Sequence, residues 1–186
     1  DDDLACGVCG STASNEDDPI ILCEGPRRCQ TAVHADCYGV AEVPEGPWLC
    51  DPCSEIDKGA AQRESKCEGE DKGFDFDSPR PRCALCTHKG GALKLSRCGR
   101  WVHVVCVWWT PELSTEPDTV RPRSLAALNP KRVELTCSVC HRQGGAAVRC
   151  AAHRCVEACH PFCAMRASHV LAEENGVFEI FCKTHS

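Results

Sequence analysis

Eight pairs of metal-binding residue types recur along the chain at one spacing. Four are Cys-x2-Cys: Cys6/Cys9, Cys50/Cys53, Cys83/Cys86 and Cys137/Cys140. Three are His-x2-Cys, namely His34/Cys37, His103/Cys106 and His160/Cys163, and a final Cys182-x2-His185 reverses the order. A two-residue gap lets both side chains grip one ion, and thiolate with neutral imidazole is the donor set that tetrahedral Zn²⁺ prefers. A disulfide framework has no use for histidines at fixed offsets from cysteine, and 19 cysteines cannot all pair with one another. The expected chemistry is structural zinc coordination in a reducing compartment, cytosol or nucleus.

The pairs sort into three blocks. The first is Cys6/Cys9, Cys23/Cys29, His34/Cys37 and Cys50/Cys53; the second is Cys83/Cys86 with His103/Cys106; the third is Cys137/Cys140, Cys150/Cys155, His160/Cys163 and Cys182/His185. That makes 20 ligands, enough for five Zn²⁺ ions with four ligands each. Cys159 or His153 could displace a neighbour in the third block. Cys155 is preferred because its interval to His160 matches that from Cys29 to His34. Of the cysteines left over, Cys98 and Cys159 are expected as small buried side chains and Cys67 as a linker thiol. His88, His141, His153 and His169 read as surface or outer-shell residues. Four protein ligands per ion leave no open position for water or substrate, so the zinc is of the structural kind. No Gly-rich phosphate loop or acid–base constellation stands outside the metal grid, and no catalytic residue is expected.

The elements that must hold these ligands are meagre. Of 186 residues, 42% count as hydrophobic only because the cysteines are included; aromatics are 5%, with one Met and one Tyr. Apolar burial alone cannot offset the entropy of ordering such a chain, so metal must do so. A large-core enzyme is excluded. The longest apolar run, near Val102–Trp109, is broken by His103, so no membrane span is expected. The opening Asp1-Asp2-Asp3 does not read as a signal or transit peptide, and none is expected. The fold class is a small zinc-stabilised α+β protein. Ile20-Ile21-Leu22 predicts a strand. Ser124–Leu128 and Pro161–Leu171 predict helices, the first ended by Asn129-Pro130. Residues 54–82, charged and poor in apolar side chains, read as a linker.

Charge divides along the same blocks. Residues 1–53 carry a net −9, residues 54–82 a net −2 and residues 83–186 a net +5. An acidic first block suits a basic peptide, and a basic remainder suits polyphosphate. Lys89, Lys94, Arg97, Arg100, Lys131, Arg132, Arg149 and Arg154 are the candidate contacts to duplex DNA. With nothing like a recognition helix, that contact is expected to be weak and non-specific.

With Trp48 two positions before Cys50, residues 6–53 resemble a PHD finger. A one-zinc knuckle and a second finger ending Cys182-x2-His185 follow. This order is similar to the PHD–zinc knuckle–extended PHD module, or PZP, of scaffold subunits in histone acetyltransferase complexes and related chromatin proteins. Tyr38-Gly39-Val40, Pro44–Trp48, Trp101–Cys106 and Leu135-Thr136-Cys137 read like phrases of that module. The resemblance implies a PHD finger at 1–54, a linker at 55–82, the knuckle at 83–110 and the extended finger with its lead-in at 111–186. It also implies cross-braced ligand sets: Cys6, Cys9, His34, Cys37 with Cys23, Cys29, Cys50, Cys53, and Cys137, Cys140, His160, Cys163 with Cys150, Cys155, Cys182, His185.

The same resemblance implies a nuclear, non-enzymatic chromatin reader within a larger chromatin-modifying protein. In the implied pose a histone H3 N-terminal tail adds as a strand beside Ile20, Ile21, Leu22 and Glu24. Its terminal ammonium meets the carbonyls of Pro44, Glu45 and Gly46 over Trp48. Glu24 faces the tail's arginine, while Glu16, Asp17 and Asp18 face its lysine. Residues 10–37 contain no Phe, Tyr or Trp. Trimethyl-lysine needs an aromatic cage, so carboxylates here favour the unmodified lysine. The alternatives are a RING-like ubiquitin ligase module or a pure protein-interaction scaffold. Two departures stand out: the x5 gap at Cys23–Cys29, and the long 54–82 segment, which predicts a loose joint between the first finger and the rest.

Overall fold

The computed structural model describes residues 4–25, 29–61, 80–116, 119–174 and 177–185. In chain order, β1 (Ile20–Leu22) pairs antiparallel with β2 (Ala32–His34), followed by helix α1 (Ala35–Tyr38) and helix α2 (Asp51–Ala61). The knuckle is the hairpin β3 (Leu93–Leu95) and β4 (Trp101–His103) running into α3 (Val104–Trp108). The last part holds β5 (Val148–Arg149) against β6 (Ala158–Cys159), then α4 (Pro161–Arg166), then the hairpin β7 (Leu171–Glu174) and β8 (Val177–Ile180). Among the described residues no helix is long and apolar enough to cross a membrane.

One local device builds all three His-x2-Cys pairs. A strand ends at or just before the histidine, which takes an extended backbone (ψ of 144°, 140° and 140° at His34, His103 and His160) and precedes a short helix. The cysteine three residues on then sits in the first turn of that helix, beside the histidine ring. Helices of four to six residues do not persist alone, so the ligand cluster is what holds each of them.

Two predicted helices are corrected. Ser124–Leu128 forms one turn only, with Ser124 Oγ accepting from Ala126 N and Leu125 O accepting from Leu128 N. The Asn129-Pro130 step starts a 3₁₀ turn, Pro130–Arg132, because Asn129 Oδ1 caps Lys131 N. The helix from Pro161 stops at Arg166, where Ser168 turns left-handed (φ 54°) and Leu171 enters β7 opposite Ile180.

The loose joint is also corrected. Helix α2 continues past residue 54 to Ala61, into the segment read as linker; Cys67 and the rest of residues 62–79 lie outside the described residues. The first finger is packed directly on the knuckle and on the lead-in after it: Val8, Val33 and Tyr38 share a buried cluster with Ala92 and Val104 of the knuckle and Val120 of the lead-in. Gly7 N donates to Ala32 O at 2.8 Å, and a Cβ on Gly7 would touch Ala92. The knuckle packs equally on the extended finger. Leu85, Leu93 and Val102 cluster with Ala146 and Phe162, and Ala146 N donates to Leu85 O at 2.7 Å. Gly145 (φ 76°) is required there, since any side chain would collide with the Leu85 carbonyl.

Candidate metal centres and binding surfaces

Twenty Cys and His side chains converge in five groups of four, with the ligand atoms of each group within 4.8 Å of one another. The groups are Cys6, Cys9, His34, Cys37; Cys23, Cys29, Cys50, Cys53; Cys83, Cys86, His103, Cys106; Cys137, Cys140, His160, Cys163; and Cys150, Cys155, Cys182, His185. They coincide with the cross-braced sets implied by the resemblance. Cys155 stands in its group, while Cys159 is buried in the extended finger's core and His153 is exposed.

The donor geometry fits zinc. Sulfur ligands at about 2.3 Å from a tetrahedral ion lie about 3.8 Å apart. Cys29 and Cys50 Sγ are 3.7 Å apart and Cys155 and Cys182 Sγ 3.9 Å, while Sγ–Nδ1 separations run from 3.2 Å (Cys182–His185) to 3.9 Å (Cys106–His103). Outer contacts orient the ligands. Nε2 donates to a carbonyl in His34 (Ala13, 2.5 Å), His103 (Gly90, 2.6 Å) and His160 (Gly144, 2.8 Å). A carbonyl only accepts, so Nε2 carries the proton and Nδ1 keeps its lone pair for a metal. One thiol in each group receives a backbone N–H: Cys6 from His34, Cys23 from Cys50, Cys83 from His103, Cys137 from His160 and Cys150 from Cys182.

Thiols this close cannot all ionise on their own. The hydrogen bond from Cys37 pulls Cys6 down to about 4 and Cys37 is pushed far up; Cys50 does the same for Cys29, also at about 4. Cys163 likewise takes Cys137 down to about 2. A divalent cation reverses this mutual repulsion and lets every thiol lose its proton. The described cysteines are all free thiols. Cys98, expected buried, is instead exposed, with its Sγ 3.2 Å from Ser96 Oγ.

On the first finger, β1 has a neighbour on one side only among the described residues, within a two-stranded sheet. Cys23 N donates to Thr31 O, so residues 21 and 23 face β2 and the main-chain groups of Leu22 face outward. Leu22 is itself 41% exposed. Glu24 N donates to Trp48 O at 2.9 Å, which brings the 44–48 loop to the C-terminal end of that open edge. Pro44, Glu45 and Gly46 are exposed, and Trp48 meets Tyr38 edge to face at 5.6 Å. Glu16, Asp17 and Asp18 lie just before the N-terminal end of β1, with Ile20 and Ile21 within it. Glu16 and Asp17 are exposed. Asp18 has a duty that sequence reasoning missed: its Oδ1 accepts from Asp36 N at 3.0 Å and caps α1, whose own N-cap His34 makes no side-chain cap.

Two of the proposed DNA-contacting cations are withdrawn. Lys94 is 7% exposed, with its ammonium 4.2 Å from the centroid of the Tyr38 ring and 3.4 Å from Asp51. Arg132 pairs with Glu112 at 2.9 Å and donates to Ala147 O. Both are fold residues. Arg97 is exposed but pairs with Glu116. Lys89, Arg100, Lys131, Arg149 and Arg154 are exposed, and Lys131 and Arg149 line one groove of about 480 Å³. A second groove, about 650 Å³ and mostly apolar, runs between Val8 and Cys9 of the first finger, Trp108 at the end of α3 with Trp109 after it, and Phe178 of β8.

Comparison with known proteins agrees along the whole chain. The profile of the PHD-zinc-finger-like domain matches residues 81–185, and that of the PHD-finger matches residues 17–54. Mouse protein Jade-1 is 34% identical across the entire chain, and the alignment covers 20% of Jade-1. Human protein AF-17 is 34% identical, with 97% of this chain and 16% of AF-17 aligned. Human Jade-2, named an E3 ubiquitin-protein ligase, is 32% identical over the full chain and 21% of its own length. The chain therefore spans about a fifth of these curated relatives. A crystal structure of the zebrafish PHF14 PZP module superposes with a TM-score of 0.73 at 28% identity, covering 98% of this chain and 88% of that one.

Proposed function

The chain belongs to the PHD-zinc-finger-like domain family and has the PHD–zinc knuckle–extended PHD architecture, and from that premise we propose that it is a non-enzymatic nuclear reader of the unmodified histone H3 tail within a larger chromatin protein. The observation that carries this reading is the outer edge of β1, where the Leu22 main-chain groups face outward and Ile20 N is held by Ser14 Oγ, with the 44–48 loop at one end and carboxylates at the other. An antiparallel guest strand would run its N-terminus toward the Pro44–Gly46 carbonyls and its fourth residue toward Glu16 and Asp17. The parts are a finger at 1–54, a connecting segment at 55–82 that opens with the rest of α2, the knuckle at 83–110 and the extended finger with its lead-in at 111–186.

Five structural zinc ions hold the module, one per ligand group. Each supplies roughly 10–16 kcal/mol of apparent binding free energy, far more than the packing available, so chelation unfolds the chain. Elemental analysis should return five zinc ions per chain. Duplex DNA is the second partner, met non-specifically by Lys89, Arg100, Lys131, Arg149 and Arg154.

The decisive experiment titrates the chain with free, N-acetylated and lysine-4-trimethylated H3 peptides. The free peptide should bind in the micromolar range, about −8 kcal/mol. Both modified peptides should bind more weakly, one losing the ammonium and the other its N–H donors. Equal affinity for all three would reduce the first finger to a generic acidic surface. A ubiquitin-ligase reading is favoured only by the name of Jade-2. Discharge of ubiquitin from a charged conjugating enzyme by this chain would support it.

A further inference from the structure

We propose that His88, a knuckle residue, is an outer-sphere positioning residue for the extended finger's metal centre at Cys137, Cys140, His160 and Cys163. This rests on the metal reading above. His88 Nε2 lies 3.2 Å from Cys163 Sγ, across 75 residues of sequence. A metal-bound thiolate only accepts hydrogen bonds, so Nε2 carries the proton and donates it.

The knuckle's own centre holds His88 in that place. Its carbonyl accepts from Cys83 N at 2.8 Å, and two residues on the Gly90 carbonyl accepts from His103 Nε2. The neighbouring Lys89 forms a β-bridge with Arg82. Phe162, the residue before Cys163, stacks on His103 with centroids 4.0 Å apart and planes 2° apart, and lies 5.5 Å from the His88 ring. Both contacts therefore tie adjacent residues of α4 to the knuckle. The counterpart thiols, Cys37 and Cys106, meet an imidazole only from their own group among the described residues.

A zinc ion with three thiolates and one imidazole carries a net negative charge. A fixed N–H donor spreads that charge, making Cys163 less prone to electrophilic attack. Through His88 the knuckle thus protects an ion it does not ligate.

The test uses the zinc-loaded chain, its His88→Ala variant and its His88→Gln variant, which keeps an N–H donor. Each is pulsed with N-ethylmaleimide; released zinc is read with a chromogenic chelator and the alkylated cysteines by peptide mapping. In His88→Ala one zinc per chain should leave roughly tenfold to a hundredfold faster, with Cys137, Cys140 and Cys163 alkylated first. His88→Gln should return most of the wild-type rate. Unchanged rates, equal acceleration of every ion, fast alkylation confined to the knuckle, or no rescue by glutamine would each overturn the proposal. Failure of the metal reading shows separately, as a wild-type chain without five zinc ions.

Discussion

The Tyr38 hydroxyl donates to the main-chain carbonyl of Leu93 at 2.5 Å and accepts from Asp51 N at 3.2 Å. One phenol thus joins α1 of the first finger, the start of α2 and β3 of the knuckle, while its ring carries the Lys94 ammonium. Tyr38→Phe keeps the ring and leaves a buried carbonyl and a half-buried amide without this partner. The cost should be about 1–3 kcal/mol in denaturant unfolding. The loss should exceed that of an exposed substitution such as Thr136→Ala, which stays within about 0.5 kcal/mol.

Acid should dismantle the metal centres in one direction only. Zinc keeps each ligand thiol ionised in the folded chain, below the ordinary thiol value of 9.0. A group whose folded value is lowered adds stability that is complete above its unfolded value and fades as pH falls through the folded one. The fold should therefore hold at neutral pH and be lost, together with zinc, as acidification returns protons to the ligand thiols. Tryptophan fluorescence and released zinc, followed together on acidification, check this. Zinc lost near pH 7 with the fold intact would contradict it.

The ligand grid was legible in the sequence because metal chemistry dictates both residue type and interval, and the β-branched Ile20-Ile21 run declared β1. What the sequence hid depends on partners distant along the chain. Lys94 looked like a phosphate contact because nothing local shows that Tyr38 and Asp51 will enclose it. Asp18 looked like tail chemistry because its bond to Asp36 N exists only after β1 and β2 pair. The joint between first finger and knuckle looked loose because the length of residues 54–82 says nothing about the Tyr38–Leu93 contact that bypasses it.

The DNA contact separates from the fold by two sets of changes. Replacing Lys131 and Arg149 together with Ala should weaken duplex binding alike across sequences and lower the slope of log affinity against log salt by about 2. Both side chains are exposed, so thermal stability should hardly change. Lys94→Ala should do the reverse, leaving the salt slope alone while destabilising the chain. A Lys94→Ala variant that loses DNA affinity with unchanged stability would contradict the burial argument.

Asp17 and Asp18 should part company in the same way on the tail-binding face. Asp17 is exposed, its backbone fixed by Asn15 Oδ1 at 3.0 Å. Asp17→Ala should therefore leave stability unchanged and narrow the gap in affinity between unmodified and trimethylated peptide. Asp18 caps α1 through Asp36 N. Asp18→Ala should cost about 0.5–2 kcal/mol of stability, the range for a lost helix cap. Asp18→Asn keeps an acceptor oxygen and should recover most of that loss without restoring the charge. Peptide titration and chemical denaturation of the three variants supply both readouts. If Asp17→Ala destabilises the chain as much as Asp18→Ala, the two carboxylates share one structural role. If Asp18→Asn is as unstable as Asp18→Ala, the contact to Asp36 is not what holds the start of α1.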